Sequence, residues 1–315
     1  MLAGREEAGG PPKPNKHLTL NGYLKRDAYQ SLDASMIAQD YPQVCYAAVE
    51  LVCTGGEGRT LVNHVVDAYC RNFISSNGWL LDAVLTLTHD ILAACGKKGS
   101  VLDSVYRKQT CRLLMLITQE GKKDTSVLAR LMNESAEKFY RDVTEHTELS
   151  KRYFTLLASG VIKQLSAVLQ HTQGGNVHAA LAVAGHLLAA KHDVQPAPFD
   201  FVHELKDAQR KDVVWYLWDV LLEASRRTGE LMQRFVRSAS MLYMLNYSKK
   251  ARMTRINFLL YAILVLGRRK VKSRERDATK LVCSACQKID VVFCETLKLP
   301  LPREYLQYYT QRKFS

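Results

Sequence analysis

At 315 residues, 47% of them apolar and 24% charged, with only 8 Pro and 17 Gly, the chain is too apolar for a disordered polyelectrolyte and too poor in Gly and Pro for a collagen-like or low-complexity one. It is long enough for one large domain or two of ordinary size. Its 44 Lys and Arg outnumber 31 Asp and Glu, a formal charge of +13, which favours phosphate or an acidic protein surface as a partner.

Residues 1–20 hold Gly-Gly-Pro-Pro and little apolar surface, so they read as a flexible N-terminal arm. From Tyr23 on, the apolar period is helical. Lys25–Ala38 sets Ala28, Leu32 and Met36 on one stripe, and a second helix starts near Pro42 and closes before Gly55-Gly56. Helical runs follow over Thr60–Ile74, Trp79–Cys95, Leu102–Gln119 and Ser126–Val143, broken at Ser75-Ser76-Asn77-Gly78, at Gly96 and Gly99, and at Gly121. Tyr153–His171 reads as one helix and Val177–Ala190, apolar on most sides, as a buried one. Val194–Arg210 reads as a loop with a short helix, and Ile256–Leu266 as another buried helix. No strand pair or Asn-Gly hairpin appears. The strongest apolar run, Phe258–Leu266, is half of the roughly 18–20 residues a bilayer demands, so no membrane insertion is expected.

The middle of the chain is written twice. Leu61–Ala93 aligns without a gap on Val213–Leu245, which carries Asp67 onto Asp219 and Lys97-Lys98 onto Lys249-Lys250. Val62, Val65, Leu80, Val84 and Ile91 fall on Val214, Leu217, Met232, Val236 and Tyr243. Tyr41–Cys53 is echoed by Val177–Ala190 at a different offset. The expected fold is all-α, with two helical-bundle subdomains related by internal duplication. Their limits are 21–147 and 148–298, the second with a basic region at 249–280, and a tail follows at 299–315.

Motifs for chemistry are sparse. Gly55-Gly56-Glu57-Gly58-Arg59-Thr60 lacks the lysine and the glycine spacing of a phosphate loop and follows a helix, so it reads as a helix–helix turn. Cys283-Ser-Ala-Cys286 with Cys294 has three of four possible zinc ligands in an apolar helical pattern, and no histidine lies beyond His203. The histidines form no His-Glu-x-x-His, and no Gly-x-Ser-x-Gly elbow occurs. No catalysis, cofactor or metal is expected. Eight Cys without a visible secretory signal suggest reduced thiols in the cytoplasm or nucleus.

The basic region is the strongest functional signal. Lys249, Lys250, Arg252, Arg255, Arg268, Arg269, Lys270, Lys272, Arg274, Arg276 and Lys280 stand against Glu275 and Asp277. Their two clusters bracket the Ile256–Leu266 helix, so they should emerge at its ends, roughly 15–20 Å apart at about 1.5 Å per residue. That spacing suits neighbouring phosphates of DNA or RNA, without sequence choice. A solvated face, a nuclear-targeting patch at Arg268–Lys272 or a dock for an acidic protein fit the same charges. Tyr305, Tyr308 and Tyr309, after Pro300 and Pro302, are candidate partner-binding residues.

Tyr23–Ala94, with its Asp40-Tyr41-Pro42 entry, its Ala-containing helix ending Glu50-Leu51 before Gly55-Gly56-Glu57, and its Asn77-Gly78 break, resembles the helical collar of clamp-loader-type ATPases. It is also similar to helical proteins of large eukaryotic DNA viruses. The ATPase core is missing, so ATP hydrolysis does not carry over. The resemblance implies an oligomerising or partner-docking module in a DNA-handling or virus-assembly setting. The expected function is a scaffold that contacts proteins and nucleic acid. An assembly or capsid-associated oligomer without nucleic acid is the alternative, and an unrecognised enzyme a third.

Overall fold

The computed structural model describes residues 17–19, 21–53, 58–95, 104–120 and 136–269. The protein is all-α: among the described residues there is no strand, and Leu18 and Leu24 form one isolated antiparallel bridge. The first half holds α1 (Lys25–Ala38), α2 (Tyr41–Cys53), α3 (Gly58–Asn72), α4 (Ile74–Asn77), α5 (Leu81–Cys95) and α6 (Ser104–Glu120). The chain continues with α7 (Glu137–Tyr140), α8 (Thr147–Tyr153), α9 (Ser159–Gln173), α10 (Val177–Ala189) and α11 (Asp207–Arg210). It continues with α12 (Val213–Arg226), α13 (Glu230–Met244), α14 (Lys249–Thr254) and α15 (Ile256–Arg268).

Local chemistry sets the helix ends. The Asp212, Asn176 and Ser248 side chains accept the backbone N–H of Val214, Ala179 and Ala251, each a donor the first turn would leave open. Gln39 closes α1 in the left-handed region, φ 60°. Packing rather than propensity holds α12, which is rich in β-branched and aromatic residues and buries Trp215 and Trp218 completely. The edge of Trp215 meets Tyr243 of α13 at 5.8 Å between centroids.

Three expectations shift. Tyr153–His171 is two helices: after α8 the Leu156 and Leu157 N–H groups bond back to the Tyr153 carbonyl, and the Leu156 carbonyl accepts from Gln195. Both leucines still pack inward, so the apolar period runs on through the turn. The break at Ser75–Gly78 is instead α4 and a 3₁₀ turn, Gly78–Leu80. Gly78 lies against the Tyr261 ring, and a Cβ there would overlap it. Third, one segment does reach membrane-spanning length. Gly78–Cys95 is 18 residues of mean hydropathy 1.3, counting the 3₁₀ turn with α5. Leu81, Val84, Thr88 and Ile91 are buried against the bundle, whereas Thr86, His89 and Asp90 face out. That is the stripe of a surface helix on its own core. The breaks expected at Gly55-Gly56, Gly96, Gly99 and Gly121, and most of the run Ser126–Val143, lie outside the described residues.

The two halves pack alike. Helix α1 lies on α2 as α9 lies on α10, α3 on α5 as α12 on α13, α5 on α6 as α13 on α15, and α2 on α6 as α10 on α15. The offset that takes residue 67 to 219 takes Ser104, which opens α6, onto Ile256, which opens α15. The offset of the second echo takes Tyr41–Cys53, the bounds of α2, onto Val177–Ala189, the bounds of α10. All five aligned apolar pairs are buried in both halves.

Helix α13 crosses α5, and α14 and α15 lie on α3. Arg255 ties this seam. Its Nε donates to Asp67 Oδ1 at 2.6 Å, and its other nitrogens donate to the carbonyls of Leu242 and Leu245 and, at 3.5 Å, to Asn63 Oδ1. Asp82 on α5 pairs with Arg234 and accepts from Ser238, both on α13. Asn257 donates to the Cys70 carbonyl at 3.2 Å.

Candidate nucleic-acid interface

The basic region divides by burial. Lys249 and Lys250 open α14 and are exposed, and Arg268 and Arg269 end α15 and are exposed. Arg268 and Arg269 thus stand at the end of α15, whose 13 residues span about 20 Å at 1.5 Å each, and Lys249 and Lys250 stand at the start of the separate helix that precedes it. None of the four forms an ion pair among the described residues, and the Arg269 side chain donates to the Gln173 carbonyl at 3.4 Å.

Arg255 and Arg252 correct the expectation. Arg255 is 1% exposed and wholly committed to the seam, so no phosphate can reach it. Arg252 Nε sits 2.7 Å from Asp212 Oδ2, and its terminal nitrogen donates to the Leu188 carbonyl at 3.2 Å. Arg255 is buried and Arg252 half-buried, each against an aspartate from a distant part of the chain. Lys270, Lys272, Arg274, Arg276 and Lys280, the cysteines Cys283, Cys286 and Cys294, and Tyr305, Tyr308 and Tyr309 lie outside the described residues.

Gln173, the residue Arg269 touches, also lines an open cleft of about 480 Å³ between α8, α9 and α12. Its walls present Lys151, Arg152, Arg227 and His146, with Glu148 and Glu223 among them. Sequence reasoning passed over this cleft. Its one visible trace is Lys151-Arg152-Tyr153-Phe154, two cations followed by two aromatics at the end of one short helix.

Arg152 is fixed from behind. Its guanidinium donates to Asp219 Oδ1 at 3.1 Å and lies over the rings of Tyr153 and Phe199 at 5.7 and 5.8 Å. The buried Tyr153 hydroxyl donates to Asp219 Oδ2. Burial nevertheless holds the Asp219 carboxyl above its ordinary value of 3.8, outweighing Tyr153 and Arg152, which pull it down. A carboxyl raised on folding contributes stability below its unfolded pKa and loses it as pH rises through the folded one. The gap in urea midpoint between Asp219→Asn and the parent should therefore widen in the variant's favour as pH rises above about 4. A gap that narrows over that range would mean the ion pair outweighs burial.

Tyr41 meets Cys111 Sγ at 2.9 Å in the core, and burial pushes the Cys53 thiol up to about 12, so it stays protonated at neutral pH. His64 pairs with Asp33 at 2.8 Å and His171 with the Phe139 carbonyl at 2.7 Å. Among the described residues, no three of His, Cys, Asp and Glu are grouped to hold a metal ion. No family model matches the chain, and no curated protein or solved structure does either.

Proposed function

We propose that this chain is a non-enzymatic helical scaffold, duplicated from one five-helix unit, that holds protein partners on its helix faces and nucleic acid on its basic end groups. The observation that carries the nucleic-acid part is the sorting of the basic region: Arg252 and Arg255 are spent inside, and Lys249, Lys250, Arg268 and Arg269 remain outside without carboxylate partners among the described residues. Cations so placed add affinity through phosphates and leave sequence unread. The matched packing of the two halves supports the duplication, which makes a rigid platform rather than a pocket around one reaction. Tyr23, Leu24 and Tyr46 are exposed around α2, where Asn21 bonds Glu50, and would give a partner protein apolar contact. The resemblance to clamp-loader collars points the same way, to docking rather than catalysis.

The test is fluorescence anisotropy of labelled single-stranded and duplex DNA against the full chain over a salt series. Binding should weaken steeply with salt and show little preference among sequences. Affinity flat from low to moderate salt, or no binding, would remove nucleic acid from the function. It would leave the protein-only assembly, which light scattering of the same sample would then detect as a defined oligomer.

A further inference from the structure

We propose that the cleft between α8, α9 and α12 takes single-stranded nucleic acid, with Phe154 as a stacking platform for a base and Lys151, Arg227, Arg268 and Arg269 as the track for its phosphates. This rests on the nucleic-acid reading above and narrows it to one strand and one groove.

Phe154 carries the inference. It is 72% exposed, the most exposed of the large apolar side chains among the described residues, although its neighbour Tyr153 is fully buried. Its ring stands in solvent at the end of α8. It follows Lys151 by three residues and keeps helical backbone angles, so both project from one side of α8, with Phe154 beside the cleft rather than in its walls. Lys151 lines the cleft, as do Arg152 and Arg227. Arg152 is locked onto Asp219 and serves to position α8. Lys151 and Arg227 form no ion pair among the described residues. Of the two wall carboxylates, Glu223 is already engaged by Arg226 at 2.7 Å. Gln173 closes the path, since its side of the cleft is where Arg269 docks at the end of α15. A cationic strip beside an exposed aromatic suits a strand whose bases are unstacked, because every base has a face to offer. A duplex keeps its bases inside and can use only the cations.

Four full-length proteins decide the matter: the parent, Phe154→Ala, Phe154→Tyr and the pair Lys151→Glu with Arg227→Glu. Anisotropy is read with labelled oligothymidylate, a duplex of equal length and polyglutamate, after thermal melts show that the variants keep the parent's Tm. Phe154→Ala should weaken oligothymidylate about tenfold, the scale of one lost base–aromatic stack, and leave the duplex unchanged. Phe154→Tyr should bind as the parent does. The charge-reversed pair should weaken the oligothymidylate and flatten its salt dependence. If the parent binds DNA but Phe154→Ala and the reversed pair stay within twofold of it, the cleft assignment is overturned and the broader reading stands. If polyglutamate binds as well as oligothymidylate and Phe154→Ala changes neither, the cleft holds an acidic peptide instead. No binding of any nucleic acid by the parent would end the broader reading and this inference together.

Discussion

Arg255→Ala should lower the unfolding free energy by about 3–5 kcal/mol, the range for deleting one member of a buried ion pair. The residue is nearly inaccessible and serves the seam between the two halves, where Asp67 comes from α3 and the Leu242 and Leu245 carbonyls from the end of α13. Removing it leaves those carbonyls without their donor and a carboxylate without its partner. Asp67→Ala should cost a comparable amount, because it leaves the buried Arg255 guanidinium without its counter-charge. Urea denaturation would measure both. An Arg255→Ala protein within 1 kcal/mol of the parent would mean that the halves associate through their apolar contacts alone. This is also why Arg255 cannot be a phosphate contact, although it lies in the most basic stretch of the chain.

Trp215→Ala should cost about 3–5 kcal/mol and Trp215→Phe much less. The indole is completely buried against Tyr243 and Tyr247, and its Nε1 donates to the Gln209 carbonyl at 2.7 Å. Alanine leaves a cavity in the centre of the second half and an unpaired carbonyl. Phenylalanine keeps most of the ring and loses the hydrogen bond, worth about 1 kcal/mol. Equal losses for the two variants would place the energy in that hydrogen bond rather than in the packing of α12 on α13.

Helix content was legible because it depends on local period. The α1 stripe of Ala28, Leu32 and Met36, and the bounds of α10, follow directly from apolar spacing and caps. The break after Tyr153 was not legible, since Leu156 and Leu157 are apolar whether they sit in a helix or in a turn held by Gln195 from a distant loop. The aligned apolar positions of the internal echo, such as Val62 with Val214 and Val84 with Val236, are buried in both stretches. The basic region was legible as charge and illegible as a site. Which arginines turn inward depends on Asp67 and Asp212, which lie 188 and 40 residues away. The cleft needs α8, α9 and α12 brought together, and nothing in a one-dimensional reading sets Lys151 beside Arg227.

The most direct measurement is the slope of log affinity against log salt for a labelled oligonucleotide, taken on the parent and on a protein with Lys249, Lys250, Arg268 and Arg269 all reversed to Glu. Four lost phosphate contacts should reduce that slope by about 3–4 at 0.7–0.9 per contact, with the melting temperature kept, since all four side chains are exposed. A slope that does not change on reversing them would contradict the account, for the outward-facing cations would then have no part in holding phosphate.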